Sequence, residues 1–127
     1  MKPQTIIGPV DCRVLRIIDG DTFVCTVPDW PPLFGQEISV RVAGVNAPEL
    51  SAKDAETRQR ALDARRFAEA TLRHARRVTL SNVQRCMYFR LVADVTADGI
   101  SYGHALLQRG HAVPYSAPGK RQHSSIF

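Results

Sequence analysis

Arg41, Glu49 and Arg90 stand out in this chain of 127 residues, read together with Asp19-Gly20-Asp21-Thr22 upstream. Arg41 lies inside an apolar stretch, Val40-Arg41-Val42, and Asn46-Ala47-Pro48-Glu49 follows it. Arg90 lies inside another, Phe89-Arg90-Leu91. A strand interior is a costly place for a charge unless something pairs with it. Two arginines and several carboxylates converging on one site would hold a phosphodiester, a metal ion and a water. Those are the parts that phosphodiester hydrolysis needs: a nucleophile, and positive charge against a crowded phosphorus. Singly, each residue has a plainer reading. Asp19-Gly20 is a common turn dipeptide that Asp21-Thr22 continues. Asn46-Ala47-Pro48 is then a loop, Glu49 a solvated carboxylate, and both arginines pair with Asp94 or Glu37. The complete set, in this order, is what points to the chemistry.

The elements that must position these residues are legible in the patterning. Cys12 to Ile18 reads as a strand, Asp19-Gly20 as a hairpin turn, and Thr22 to Val27 as the returning strand. Pro28-Asp29-Trp30-Pro31-Pro32 breaks regularity, because proline donates nothing to a ladder. Trp30 is expected to cap one end of the sheet; a stacking contact with an unpaired base is the alternative. Glu37 to Val45 resumes as a strand, with Ile38, Val40 and Val42 on one face and Ser39, Arg41 and Ala43 on the other. Ser51-Ala52-Lys53-Asp54 is a capping-box signal that opens a helix. Ala64, Phe67, Ala68, Thr71, Leu72 and Ala75 form its apolar stripe, and arginines crowd its other positions as a solvated face. Val78 to Val83 and Tyr88 to Thr96 are the fourth and fifth strands. Asp98-Gly99 is a turn, and Ser101 to Arg109 a short helix stopped by Gly110. The predicted class is mainly β with helices: a five-stranded OB-fold barrel in the order β-β-β-α-β-β-α. One domain is expected over 1–127, with a core from about 12 to 115 and a loose polar tail over 116–127.

Composition narrows the partners. The net charge is +5 and the pI about 9.6, a balance that attracts polyanions, nucleic acid foremost. No apolar run is long enough to span a membrane, so no membrane partner is expected. The three cysteines, Cys12, Cys25 and Cys86, include no C-x-x-C pair, which argues against a disulfide framework or a structural zinc site. His74, His104, His111 and His123 lack ligand-like spacing. The first residues lack an apolar core of signal-peptide length. A cytoplasmic protein, or one whose leader has been removed, both remain open. A monomer is expected.

Four segments carry a family resemblance: Ile18-Asp19-Gly20-Asp21-Thr22; Val40 through Glu49; Tyr88-Phe89-Arg90-Leu91-Val92-Ala93; and Ala105-Leu106-Leu107-Gln108-Arg109-Gly110-His111-Ala112. Together, and in this order, they resemble the staphylococcal nuclease family, OB-folds that hydrolyse phosphodiesters with calcium. The resemblance implies that Asp21 is a calcium carboxylate, that Asn46 stands where the family has an aspartate, and that Ala47 offers its backbone carbonyl. It implies that Glu49 orients or deprotonates the attacking water and that Arg41 and Arg90 bind the phosphate. Tyr115 is similar to a tyrosine beside the bound nucleotide, with a slight offset in alignment. Asp19 and Thr22 flank the metal carboxylate as its supporting residues. Three departures accompany the resemblance. Asn46 is neutral, Phe89 replaces a glycine, and the chain stops near where the family's last helix begins.

Calcium takes about six to eight oxygen ligands, which Asp21, Asn46, Ala47, water and phosphate would supply together. Arginine donates two parallel hydrogen bonds to phosphate oxygens, and these strengthen as charge accumulates in the transition state. The expected function is a calcium-dependent nuclease acting on DNA, RNA or both. The alternative is a non-catalytic nucleic-acid-binding OB-fold module that keeps the arginines but has lost efficient metal binding. Asn46 favours the alternative; Asp21, Arg41, Glu49 and Arg90 favour the enzyme.

Overall fold

Strands β2 (Val10–Asp19) and β3 (Thr22–Thr26) form a hairpin in which Asp19 opposes Thr22 across the Gly20-Asp21 turn. The computed structural model describes residues 5–6, 9–31, 36–87 and 90–115. A short strand β1 (Thr5–Ile6) precedes the hairpin, and β4 (Ile38–Val42) pairs antiparallel with β3. After a two-residue strand β5 (Val45–Asn46) comes helix α1 (Ala55–Ala68), which runs into a π turn over Glu69–Arg73. Strands β6 (Val78–Met87), β7 (Arg90–Ala97) and β8 (Ile100–Ser101) follow, then helix α2 (Tyr102–Gln108) and strand β9 (Val113–Pro114).

Five strands close into a barrel. β2, β3 and β4 are neighbours in turn, β4 pairs parallel with β7, β7 pairs with β6, and β6 returns to β2. Alternation decides what faces inward. Ile38, Val40 and Val42 of β4 and Leu91, Ala93 and Val95 of β7 are buried, while Ser39, Arg41, Arg90 and Asp94 lie on the outer face. Phe23, Leu80, Val83, Leu106 and Tyr102 complete the core. Each large apolar side chain so buried stabilises the fold by roughly 1.5–3 kcal/mol. The stripe of α1 is buried at Ala61, Ala64, Ala68 and Leu72, with Phe67 and Ala75 half-buried against the core. Trp30 is half-buried against the same core, as an end cap requires.

The expected fold class and element order hold; several boundaries move. The first turn of α1 is capped by Asp54, not by Ser51. Asp54 accepts from the Thr57 N–H and the Thr57 hydroxyl, both at 2.9 Å, whereas the Ser51 hydroxyl turns back to Glu49. The third strand ends at Val42 because Gly44 adopts φ +79°, a left-handed turn conformation, and Val45-Asn46 then pairs with β9 instead. The fourth strand runs on to Met87 past a bulge at Asn82 (φ +50°), whose amide donates to Asp94 at 2.7 Å. The short strands β1, β5, β8 and β9 have no signal in the periodicity, since two residues show no period. Residues Tyr88 and Phe89, Pro32, and the tail from Ser116 with His123 lie outside the described residues.

Neither ion pair of the plain reading forms. Glu37 pairs with Arg16 at 3.4 Å, Asp94 takes the Asn82 amide, and Arg41 pairs elsewhere. Cys12 and Cys25 are free thiols. No helix among the described residues is long and apolar enough to cross a membrane.

The cap of α1 generates a pH-dependent expectation. The Thr57 N–H, then the Thr57 hydroxyl, hold the Asp54 carboxyl below its ordinary value of 3.8. A carboxyl whose folded value is depressed contributes stability that is present above the unfolded value and lost as pH falls through the folded one. Asp54→Ala is expected to lower Tm at neutral pH, with the difference from the parent shrinking as pH drops below 3.8. Thermal melts of both proteins across an acid series check it; a constant difference would remove the carboxylate from the cap.

Candidate functional site

The β2–β3 turn delivers Asp21 to the junction of three segments, and its carboxylate bonds to all of them. Oδ1 accepts from the Thr22 hydroxyl at 2.9 Å, and Oδ2 accepts from the Ala47 N–H at 2.9 Å and from Arg41 Nη1 at 3.3 Å. The Asp21 backbone carbonyl accepts from the Val42 N–H at 2.9 Å. Asp21 is 3% exposed. A carboxylate at that depth requires such partners.

Arg41 is held from three sides. Nη1 reaches Asp21, and Nη2 donates to the Val45 carbonyl at 3.3 Å and to Asn46 Oδ1 at 3.2 Å. A guanidinium has five N–H donors. Three are engaged here, which leaves Nε–H and one Nη1–H for a ligand. The guanidinium carbon lies 5.2 Å from the centroid of the Tyr115 ring, a cation–π contact. Tyr115 owes that place to the β5–β9 pair and to its N–H, which donates to the Gly44 carbonyl at 2.9 Å.

The parallel closure of the barrel places Arg90. Ser39 is the partner of Arg90 and Val92 the partner of Arg41, so the two arginines share the outer face as diagonal neighbours. Strand spacing and rise put them about 8 Å apart at the backbone. Arg90 is exposed and makes no salt bridge among the described residues.

Glu49 is exposed beyond Pro48, with Oε1 accepting from the Ser51 hydroxyl at 3.2 Å. Asp19 sits behind the turn and accepts from the Leu50 N–H at 3.2 Å. Burial pushes the Asp19 carboxyl above its ordinary value; the negative fields of Asp21 and Glu49 push it the same way, against the Leu50 N–H and the Arg65 charge. Asp19, Asp21 and Glu49 thus form one electrostatic cluster.

All nine residues singled out in the sequence gather around this junction: Arg41, Glu49, Arg90, Asp21, Asn46, Ala47, Tyr115, Asp19 and Thr22. Two further residues carry the site and had no signal. Tyr102, fully buried at the start of α2, donates its hydroxyl to the Gly20 carbonyl from beneath the turn. Burial, then the Asp21 charge, holds its phenol above the ordinary range, so it remains a donor. Arg65 on α1 adds its positive field at Asp19, and its Nε is buried without a hydrogen-bond partner among the described residues. In the sequence Arg65 is one of many arginines on a helix that reads as solvated.

A closed five-stranded barrel with a parallel closing pair and a helix between its third and fourth strands is an OB-fold. The family model described as Staphylococcal nuclease homologue matches residues 39–126. That is more than half of the chain, and the chain belongs to this family. The match includes Arg41, Asn46, Ala47, Glu49, Arg90 and Tyr115 and begins after the Asp19–Thr22 turn, which the structure joins to it through the Asp21 hydrogen bonds. No curated protein matches the chain.

The turn leaves no space behind it. A Cβ at Gly20 would lie 2.8 Å from the Ala64 Cβ and 3.3 Å from the Ala47 Cβ. Gly20→Ala is expected to destabilise the protein by about 1–3 kcal/mol, the usual cost of overpacking. Urea unfolding measures it, and an unchanged midpoint would show that α1 does not press on the turn.

Proposed function

We propose that the protein is a nuclease that hydrolyses phosphodiester bonds of DNA, RNA or both with the help of calcium. The observation that carries this reading is Arg41. Its guanidinium is immobilised by Asp21, Asn46 and Val45 on one side and by the Tyr115 ring on the other, and two donors remain. A fixed cation whose two free donors lie on different edges, Nε–H and one Nη1–H, can stabilise the negative charge that builds on a phosphate undergoing substitution.

The residues fit calcium, weakly. A carboxylate offers about four lone-pair positions. Three of those on Asp21 are taken, leaving one on Oδ1, and Asn46 Oδ1 retains a second lone pair beside the Arg41 bond. With the Ala47 carbonyl these form an all-oxygen set suited to a hard cation, but only one member is charged. Bound calcium supplies fixed positive charge that neutralises the phosphate. The remaining steps belong to the chain's own groups. Glu49, solvated and accepting one hydrogen bond, from Ser51, takes the proton from the attacking water. Arg41 and Arg90, on one face, donate to the non-bridging oxygens as negative charge builds on them. Tyr115 packs against the sugar or base next to the scissile bond.

One observation favours a second reading. Among the described residues no cluster of three His, Cys, Asp or Glu side chains is arranged to hold a metal, and Asn46 is neutral. The alternative is therefore a non-catalytic nucleic-acid-binding module of the same family. Incubation with single-stranded DNA and RNA at millimolar calcium separates the two. Degradation stopped by a chelator is expected, whereas binding without cleavage at high enzyme concentration leaves the binding module. Arg41→Lys keeps the charge and loses the planar fork, and is expected to slow cleavage by about 10²–10³. A rate near the parent's would make Arg41 structural.

Asn46→Asp adds a full charge beside the cation. It is expected to tighten calcium and to raise the rate at limiting metal, with little change at saturation. Calorimetric calcium titration of both proteins, with rates on the same samples, measures it; equal affinities would remove residue 46 from the ligand set.

A further inference from the structure

At the other end of β2 from the Asp21 turn, a cavity of about 400 Å³ opens between the start of β2, the π turn and the start of β6. Its rim carries Arg13, Arg73, Arg76 and Arg77, and its floor includes Leu72 and Val78, both buried. The rim is held in place. Asp98 accepts from the backbone N–H groups of Arg76 and Arg77 at 3.2 and 2.9 Å and so fixes that corner. The π turn is wider than an α-helical one and shifts the phase of the side chains after it. Arg73 thereby reaches back to β2, where Nη1 donates to the Leu15 carbonyl at 3.1 Å.

The local carboxylates are already committed. Asp11 pairs with Arg77 at 2.8 Å, Glu69 with Arg73 at 3.6 Å, and Asp98 with the backbone. Arg13 and Arg76 are exposed and have no carboxylate partner among the described residues. Two unpaired guanidiniums above an apolar floor match a ligand with an anionic group on a flat apolar body. The cavity falls in the size range of small-ligand pockets, about 300–1,000 Å³. We propose that this cavity seats one nucleotide of a polynucleotide, with its phosphate on Arg13 and Arg76 and its base against the half-buried Val14 and Ala75 that overlie Leu72 and Val78.

The spacing suits such a chain. From Cys12 to Asp19 β2 spans at most about 23 Å. At about 3.4 Å per stacked nucleotide, the two ends lie roughly seven nucleotides apart. OB-folds occupy about 4–16 nucleotides of a single strand. A strand long enough to bridge the cavity and the Asp21 junction therefore gains affinity that a short one, filling one site at a time, does not, and this holds whether or not the strand is cut.

The test uses Arg13→Gln/Arg76→Gln, two exposed side chains outside the Asp21 junction, in chelator so that nothing is cleaved. Fluorescence anisotropy follows binding of single strands of two and of about twelve nucleotides, the longer chosen to span both sites. The double variant is expected to bind the longer strand at least tenfold more weakly. Its salt dependence should be shallower by about 0.7, the loss of one phosphate contact on a single strand. Binding of the dinucleotide at the Asp21 junction, followed by the amide shifts of Asn46 and Ala47, and Tm should be unchanged. An unchanged affinity for the longer strand, or an equal loss for both lengths, would overturn the proposal. Amide shifts of Arg13, Val14 and Val78 then distinguish the source of the anion. A nucleoside monophosphate should move them at lower concentration than inorganic phosphate; equal responses would overturn the nucleotide seat. Failure of cleavage in the calcium assay sinks the nuclease reading alone, because this test reads binding at a site that Arg41 does not touch.

Discussion

The buried carboxylate of Asp21 is the joint on which the site depends. It draws together a turn, a strand and a loop that are separate in sequence, and each brings one donor: Thr22, Arg41 and Ala47. Hydrogen bonds to a charged group contribute roughly 1.5–3 kcal/mol each, and leaving a buried charge unpaired costs more than any of them returns. Arg41 is about a quarter exposed, so its pair with Asp21 is partly screened, and the two short bonds from Thr22 and Ala47 carry the larger share. The arrangement has a chemical consequence. The same carboxylate that fixes Arg41 also supplies the site's buried negative charge, so in the proposed nuclease positioning the phosphate donor and attracting a cation would fall to a single residue.

Everything behind that joint serves to keep it still. Tyr102 props the Gly20 carbonyl from the core, and Ala64 of α1 closes the space beside it. The parallel β4–β7 pair closes the barrel and sets Arg90 beside Arg41 without any contact between the side chains being needed. Rigid strands hold geometry better than loops do, and the arginines stand on strands while Glu49 stands on a loop. A proton acceptor has to move with its water; a phosphate clamp gains from not moving.

The basic balance of the chain divides unevenly over this scaffold. The Asp21 junction is close to balanced, with two positive charges, Arg41 and Arg90, among three negative ones, Asp21, Asp19 and Glu49. The surplus of arginines lies elsewhere, along α1 and at the corner before β6, where Asp98 and Asp11 organise part of it. In the proposed nuclease, attraction for a polyanion and chemistry on one phosphate would thus be separate tasks of different faces. Long-range charge works from any face, whereas a reacting phosphate needs one arrangement of few groups.

What the sequence determined by itself follows from signals that act over a few residues. Period-two alternation in Ile38–Val42 and Arg90–Val95 gave the inward and outward faces, Asp19-Gly20 and Asp98-Gly99 gave the turns, and Gly110 ended α2. Arg41 and Arg90 were legible because a charge in an apolar strand is costly and demands a partner. The family resemblance carried Asp21, Asn46, Ala47, Glu49 and Tyr115. Tertiary structure alone decided who the partners are. That Arg41 pairs with Asp21 and not with Glu37 or Asp94 depends on the β3–β4 register, which sets Arg41 opposite Thr22 and so next to Asp21. The same holds for Tyr102 beneath Gly20, a contact between segments with no local pattern in common, and for the charge of Arg65 acting on Asp19. Local propensity fixes which way a side chain faces, and only the packing of distant elements fixes what it meets.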